Sequence, residues 1–90
     1  MKQVFLKIAG RVQDVGFRWN SREKARELNL SGWVQNTSDD TVQILAQGSP
    51  ENLEQFIAWA KTGPRFAGVA ELKTEWQEPG EILSGFEIKR

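Results

Sequence analysis

The sequence predicts an α+β sandwich, with two helices on one face of an antiparallel sheet and the chain order β-α-β-β-α-β. Three observations carry this expectation. Apolar residues alternate at period two in several short runs, as half-buried strands require. Two other stretches carry small or apolar residues at the spacing of a single helix face. Two of the strand-like runs are separated only by Ser38-Asp39-Asp40, which makes them a β-hairpin.

Each element follows from its own residues. Gln3 to Val12 reads as the first strand, with Val4, Leu6 and Ile8 on one face and Lys7 on the other. Arg18 to about Leu30 reads as the first helix. Ser21, Ala25 and Leu28 form its narrow stripe, and Arg22, Glu23, Lys24, Arg26 and Glu27 form a solvated face. Ser31-Gly32 is expected to close that helix region. Trp33 to Thr37 and Thr41 to Gln47 are the hairpin strands, the second with Val42, Ile44 and Ala46 in phase. Ser49 then offers an N-cap, Pro50 fits the first helical position, and Glu51 and Glu54 suit the positive end of a helix. Leu53, Phe56, Ile57 and Ala60 give that second helix its buried stripe, and Gly63-Pro64 stops it. Phe66 to Trp76 is a fourth strand whose apolar positions are mixed in phase. Glu78-Pro79-Gly80 is a turn, and Phe86 and Ile88 alternate with charged residues in a short terminal strand. The order is that of the split βαβ, ferredoxin-like sandwich.

Composition limits the chemistry. The 90 residues fit one domain with a single core, at 39% hydrophobic and 27% charged residues. Lysine and arginine balance aspartate and glutamate, so the basic excess usual in nucleic-acid binders is missing. Cysteine and histidine are absent. Disulfides, Cys or Ser/His nucleophiles and the common zinc sites are thereby excluded. No apolar run approaches the ~20 residues of a membrane span, and Met1-Lys2-Gln3 leads directly into a strand without a signal-peptide pattern. The expectation is a cytoplasmic monomer that engages neither nucleic acid nor membrane and needs no cofactor. Trp33, Trp59 and Trp76 read as packing or half-exposed sheet residues, and Asp39-Asp40 as a turn lacking the spaced ligands of a calcium loop; Trp19 reads as packing, with bordering the pocket beside Arg18 as the alternative.

The chemistry concentrates between the first strand and the first helix, in Gly10-Arg11-Val12-Gln13-Asp14-Val15-Gly16-Phe17-Arg18. A helix start offers unpaired N–H groups and the positive end of the helix dipole, and loop amides can curl into the same kind of concavity. Arg18 adds a planar, permanently charged fork that fits phosphate. The stretch reads as a phosphate cradle, although it is neither the Walker sequence nor the dinucleotide fingerprint.

That stretch resembles the first signature of the acylphosphatase family, G-x-V-Q-G-V-x-F-R. Gly32-Trp33-Val34-Gln35-Asn36 resembles the second, G-W-V-x-N. The spacing between the two signatures, the hairpin, Gly63-Pro64 and the length are also similar, so the resemblance spans residues 1–90 as one domain. It implies hydrolysis of carboxyl-phosphate mixed anhydrides to a carboxylate and inorganic phosphate, without a metal or a covalent intermediate. It places the catalytic arginine on Arg18 and the catalytic asparagine on Asn36. The phosphate-binding backbone falls on Gln13, Asp14, Val15, Gly16 and Phe17, beside Arg18. The chemistry is compatible, because an acyl phosphate has a good leaving group and its loose transition state asks mainly for positioning and charge stabilisation.

The family has glycine where this chain has Asp14, and commonly in the hairpin turn where it has Asp40. Aspartate tolerates positive φ, but its charge inside a phosphate cradle is expected to lower activity without abolishing it. Two other readings compete with the enzyme. A non-catalytic anion- or protein-binding module on the same fold would exploit the altered cradle. An RNA-recognition domain shares the element order but needs aromatics at the centre of its third strand, where Val42-Gln43-Ile44-Leu45-Ala46 has none.

Overall fold

The computed structural model describes all 90 residues. The elements are β1 (Lys2–Arg11), α1 (Phe17–Glu27), β2 (Ser31–Asn36), β3 (Val42–Gly48), α2 (Pro50–Thr62), β4 (Gly68–Gln77) and β5 (Phe86–Lys89). The strands lie in the order β4-β1-β3-β2-β5. Every neighbouring pair is antiparallel except β2 and β5, which run parallel. The sheet is therefore mixed, where the sequence predicted an antiparallel one.

The reason lies in the connection after β4. That strand ends where Gln77 pairs with Gln3, the end of the sheet at which β1 starts, β3 finishes and β2 starts. The connection crosses at that end, and β5 then has to run the same way as β2. Gln47 holds the crossing segment in place. Its buried amide donates to the Glu81 carbonyl at 2.6 Å and accepts from the Leu83 amide at 2.9 Å. The Gly32 amide donates to the Gly85 carbonyl at 2.9 Å and sets the start of β5.

The core lies between the sheet and the helices. Val4, Leu6 and Ile8 of β1, Val34 of β2 and Val42, Ile44 and Ala46 of β3 meet Ala25 of α1 and Leu53, Phe56, Ile57 and Ala60 of α2. Phe56 is fully buried, with Trp59 at 5.7 Å and Phe86 at 6.2 Å between ring centroids. Truncating such a ring to alanine costs about 3–5 kcal/mol. Trp33 stands half-buried edge-on to Phe5, and Trp76 is largely exposed, as expected of half-exposed sheet residues.

Two local details differ from the sequence reading, and a third explains it. First, α1 ends at Glu27, not near Leu30. Asn29 takes a left-handed conformation (φ 57°), its amide donates to the Arg26 carbonyl at 3.1 Å, and the Leu30 amide donates to the Ala25 carbonyl at 2.8 Å. These are the paired bonds of a Schellman stop, with Leu30 turned into the core. Second, Ser31-Gly32 opens β2. Gly32 has φ 143°, and a Cβ there would lie 1.8 Å from the Leu45 carbonyl oxygen on the neighbouring strand. Third, the mixed phase of β4 comes from a bulge. The register slips between Ala9 and Gly10, so Ala70 has no partner and Val69 and Leu72, three apart, both pack against the core. The second helix follows the expectation, with the Ser49 hydroxyl accepting from the Asn52 amide at its start.

Candidate active site

Strand direction brings the site together at the end of the sheet opposite the crossing segment. There β1, β2 and β5 finish, β3 begins, and α1 starts. Asn36 is the last residue of β2 and lies two residues beyond Val34, so it shares the helix-covered face with that core residue. Arg18 stands in the first turn of α1. A cavity of about 230 Å³ opens between them, lined by Val12, Asp14, Gly16, Phe17, Arg18, Trp19, Asn36, Ile88 and Arg90. At ~30 Å³ per water this is room for roughly eight waters, or for one small anion with a short organic group.

The loop before α1 combines features that suit an anion. Asp14 (φ 60°) and Gly16 (φ 79°) are left-handed, and Val15 between them is not. Alternation of hand turns successive amides toward one concave side. None of the amides from Gln13 to Gly16 donates to a protein acceptor. The helix that follows has no side-chain cap and no acidic residue in its first turn, so its positive end is not neutralised locally. The contrast with α2, which has both a serine cap and Glu51, is sharp. Neither Arg18 nor Arg90 is paired with a carboxylate.

Asn36 supplies a different kind of group. Its side-chain oxygen Oδ1 is buried and has no hydrogen-bond partner. A buried acceptor left unpaired costs about 1–3 kcal/mol, so this oxygen gains from any water or ligand that reaches it.

The structure brings five of the seven sequence-predicted residues, Asp14, Gly16, Phe17, Arg18 and Asn36, to the cavity wall. Gln13 and Val15 do not line it. Val15 packs its side chain against the core. The Gln13 side-chain amide donates to the carbonyls of Thr37 at 2.9 Å and Thr41 at 3.0 Å, tying the loop to the hairpin turn that follows Asn36. Asp39 organises that turn. Its carboxylate accepts from the hydroxyls of Thr37 and Thr41 and lies 3.2 Å from Lys7 Nζ. These contacts, that of Thr37 foremost, hold the carboxyl well below the usual carboxylate range.

Sequence reading misses three wall residues, Val12, Ile88 and Arg90, and prefers packing for a fourth. That fourth, Trp19, is 55% exposed and lines the cavity, which is the alternative its place beside Arg18 offers. Ile88 and Arg90 arrive through the parallel strand, with Ile88 paired beside Val34 and Arg90 two residues further toward Asn36. The period-two run Phe86, Ile88, Arg90 was the available signal, but it carries no information on strand direction.

Comparison with known proteins points to one family. The acylphosphatase family model matches residues 4–88. The chain belongs to the acylphosphatase family. It is 47% identical to an acylphosphatase of Thermococcus kodakarensis, with 98% of each chain covered. It is 40% identical to an acylphosphatase of Salinibacter ruber, over 99% of this chain and 94% of that one. The crystal structure of an acylphosphatase from Bacillus subtilis superposes on it with a TM-score of 0.97 at 34% identity, with both chains covered in full. The family fold is thus the ferredoxin-like sandwich described above, with β5 as its parallel edge.

Proposed function

We infer that this protein is an acylphosphatase, which hydrolyses the carboxyl-phosphate bond of small acyl phosphates to a carboxylate and inorganic phosphate. Family membership over nearly the whole chain supports this activity over a non-catalytic binding module. The single observation that carries the mechanism is that Asn36, whose Oδ1 has no protein partner, lines the same cavity as Arg18, which no carboxylate pairs.

In the proposed reaction the unpaired amides of the loop from Gln13 to Phe17, together with Arg18, hold the non-bridging phosphoryl oxygens. Asn36 Oδ1 accepts a hydrogen bond from a water and aims its oxygen at phosphorus. The water oxygen bonds to phosphorus, and the bond from phosphorus to the acyl oxygen breaks. The acyl oxygen leaves with the electron pair as a carboxylate, and the water proton passes to a phosphoryl oxygen. The leaving carboxylate is a weak base, so it needs no general acid, which suits a chain without histidine.

Benzoyl phosphate hydrolysis, followed by absorbance in the presence of a chelator, tests the reading. The wild type is expected to turn over, and Arg18→Ala and Asn36→Ala are each expected to lose nearly all activity. An inactive, folded wild type would overturn the reading in favour of the binding module.

A further inference from the structure

We infer that Trp19, with Ile88, forms the platform on which the acyl half of the substrate lies, so that this enzyme favours acyl phosphates with a flat, apolar acyl group. The inference rests on the acyl-phosphate reading above and extends it to the half of the substrate that the phosphate cradle does not touch.

The cavity divides by chemistry. Asp14, Gly16, Phe17 and Arg18 belong to the loop proposed to hold phosphate and the first turn of α1, and Asn36 is the residue proposed to orient the attacking water. Once the phosphoryl group occupies the loop, the acyl group is left with Val12, Trp19, Ile88 and Arg90. Val12 is only 1% exposed and offers little area. Arg90 is exposed at the rim, and Ile88 is half-buried on β5. Trp19 is therefore the largest apolar surface open to the acyl group.

Its exposure is notable for where it falls. Five large hydrophobic residues are exposed, namely Met1, Trp19, Phe66, Trp76 and Ile82, and only Trp19 lines this cavity. Its ring has no aromatic partner and no cation over its face within the fold. An isolated surface aromatic needs no explanation. An unstacked indole on the residue next to Arg18, in the wall of the same cavity, is an open stacking surface adjoining the phosphate cradle. A planar acyl group gains offset stacking there, and a two-carbon acyl group does not reach enough of the ring to do so.

The test compares benzoyl phosphate with acetyl phosphate in the wild type, Trp19→Ala and Trp19→Phe. The benzoyl-to-acetyl ratio of kcat/KM cancels any general damage to the cradle. It is expected to fall about 2- to 12-fold in Trp19→Ala, the range that an aromatic pair contributes. The change should sit in the KM for benzoyl phosphate, because stacking away from the reacting atoms binds ground and transition states alike. Trp19→Phe should keep most of the ratio. An unchanged ratio in Trp19→Ala, including an equal loss on both substrates, overturns the inference, as does a Trp19→Phe ratio as low as that of Trp19→Ala. A wild type that hydrolyses neither substrate would instead overturn the activity itself.

Discussion

The side-chain amide of Gln13 donates to the main-chain carbonyl of Thr37 at 2.9 Å, joining the loop before α1 to the residue that follows Asn36. The same nitrogen reaches the Thr41 carbonyl at 3.0 Å, so one amide bridges both arms of the hairpin turn. The distance between cradle and Asn36 is thereby set by a side chain that does not line the cavity.

Gln13→Ala removes both bonds and is expected to lower stability by about 1–3 kcal/mol in urea denaturation. It is also expected to reduce kcat roughly 10- to 100-fold, since small misplacements of an orienting group carry penalties of that size. Because Gln13 acts through Asn36, the Gln13→Ala, Asn36→Ala double variant should be no slower than Asn36→Ala alone. Additive losses would show that the two residues work independently.

Asp14 is left-handed and exposed at the cavity wall. A carboxylate ~6 Å from a phosphate charge opposes binding by about 0.7 kcal/mol at the dielectric of water and about 3 kcal/mol at an effective dielectric of 20. Exposure favours the lower figure. Asp14→Gly should therefore raise kcat/KM about threefold at low salt, and the gain should shrink in 1 M salt as screening takes over. Asp14→Ala keeps the electrostatic gain but places a Cβ without hydrogen-bonding capacity at φ 60°, so it should be about 1 kcal/mol less stable than Asp14→Gly.

Asn36 is a place where function and stability oppose one another. Its Oδ1 is buried without a partner, so Asn36→Leu replaces an unpaired polar atom by an apolar group of similar size. Stability is expected to stay level or rise by about 1 kcal/mol, while hydrolysis of benzoyl phosphate is lost. A marked fall in Tm would show that the asparagine is structural.

Acid should weaken the hairpin turn through Asp39. Its carboxyl is held below the ordinary value in the folded state, by Thr37 first, then Thr41 and Lys7. The folded state therefore favours the ionised form. That stabilisation is complete above the unfolded carboxylate value of about 4 and is lost as the pH falls through the lower folded value. Thermal unfolding across this range should show a smaller difference between wild type and Asp39→Asn as the pH drops. A constant difference would rule out the carboxylate as the source.

Much of the molecule was legible because its signals are local. Period-two alternation in Val4, Leu6 and Ile8, the Leu53–Ala60 stripe and the Ser49-Pro50 cap each specify an element through neighbours on the same segment. The turn from Gln13 to Phe17 was legible for the same reason, since glycine, a left-handed aspartate and a helix start fix its conformation within a few residues.

Tertiary structure decided the rest. The sequence by itself determined the elements, the two-helix sandwich, the loop with Arg18, and Asn36 as the partner implied by a family resemblance. It did not determine that β5 runs parallel to β2, because strand direction depends on where a connection crosses the sheet, and that crossing is set by Gln47 bonding to Glu81 and Leu83 far along the chain. That direction carries Ile88 and Arg90 to the cavity. Folding likewise made the Gln13 side chain the tie between loop and hairpin, and left Trp19 uncovered beside Arg18. Alternation along a strand tells which face a residue takes, whereas only the packed sheet tells which end of the molecule it reaches.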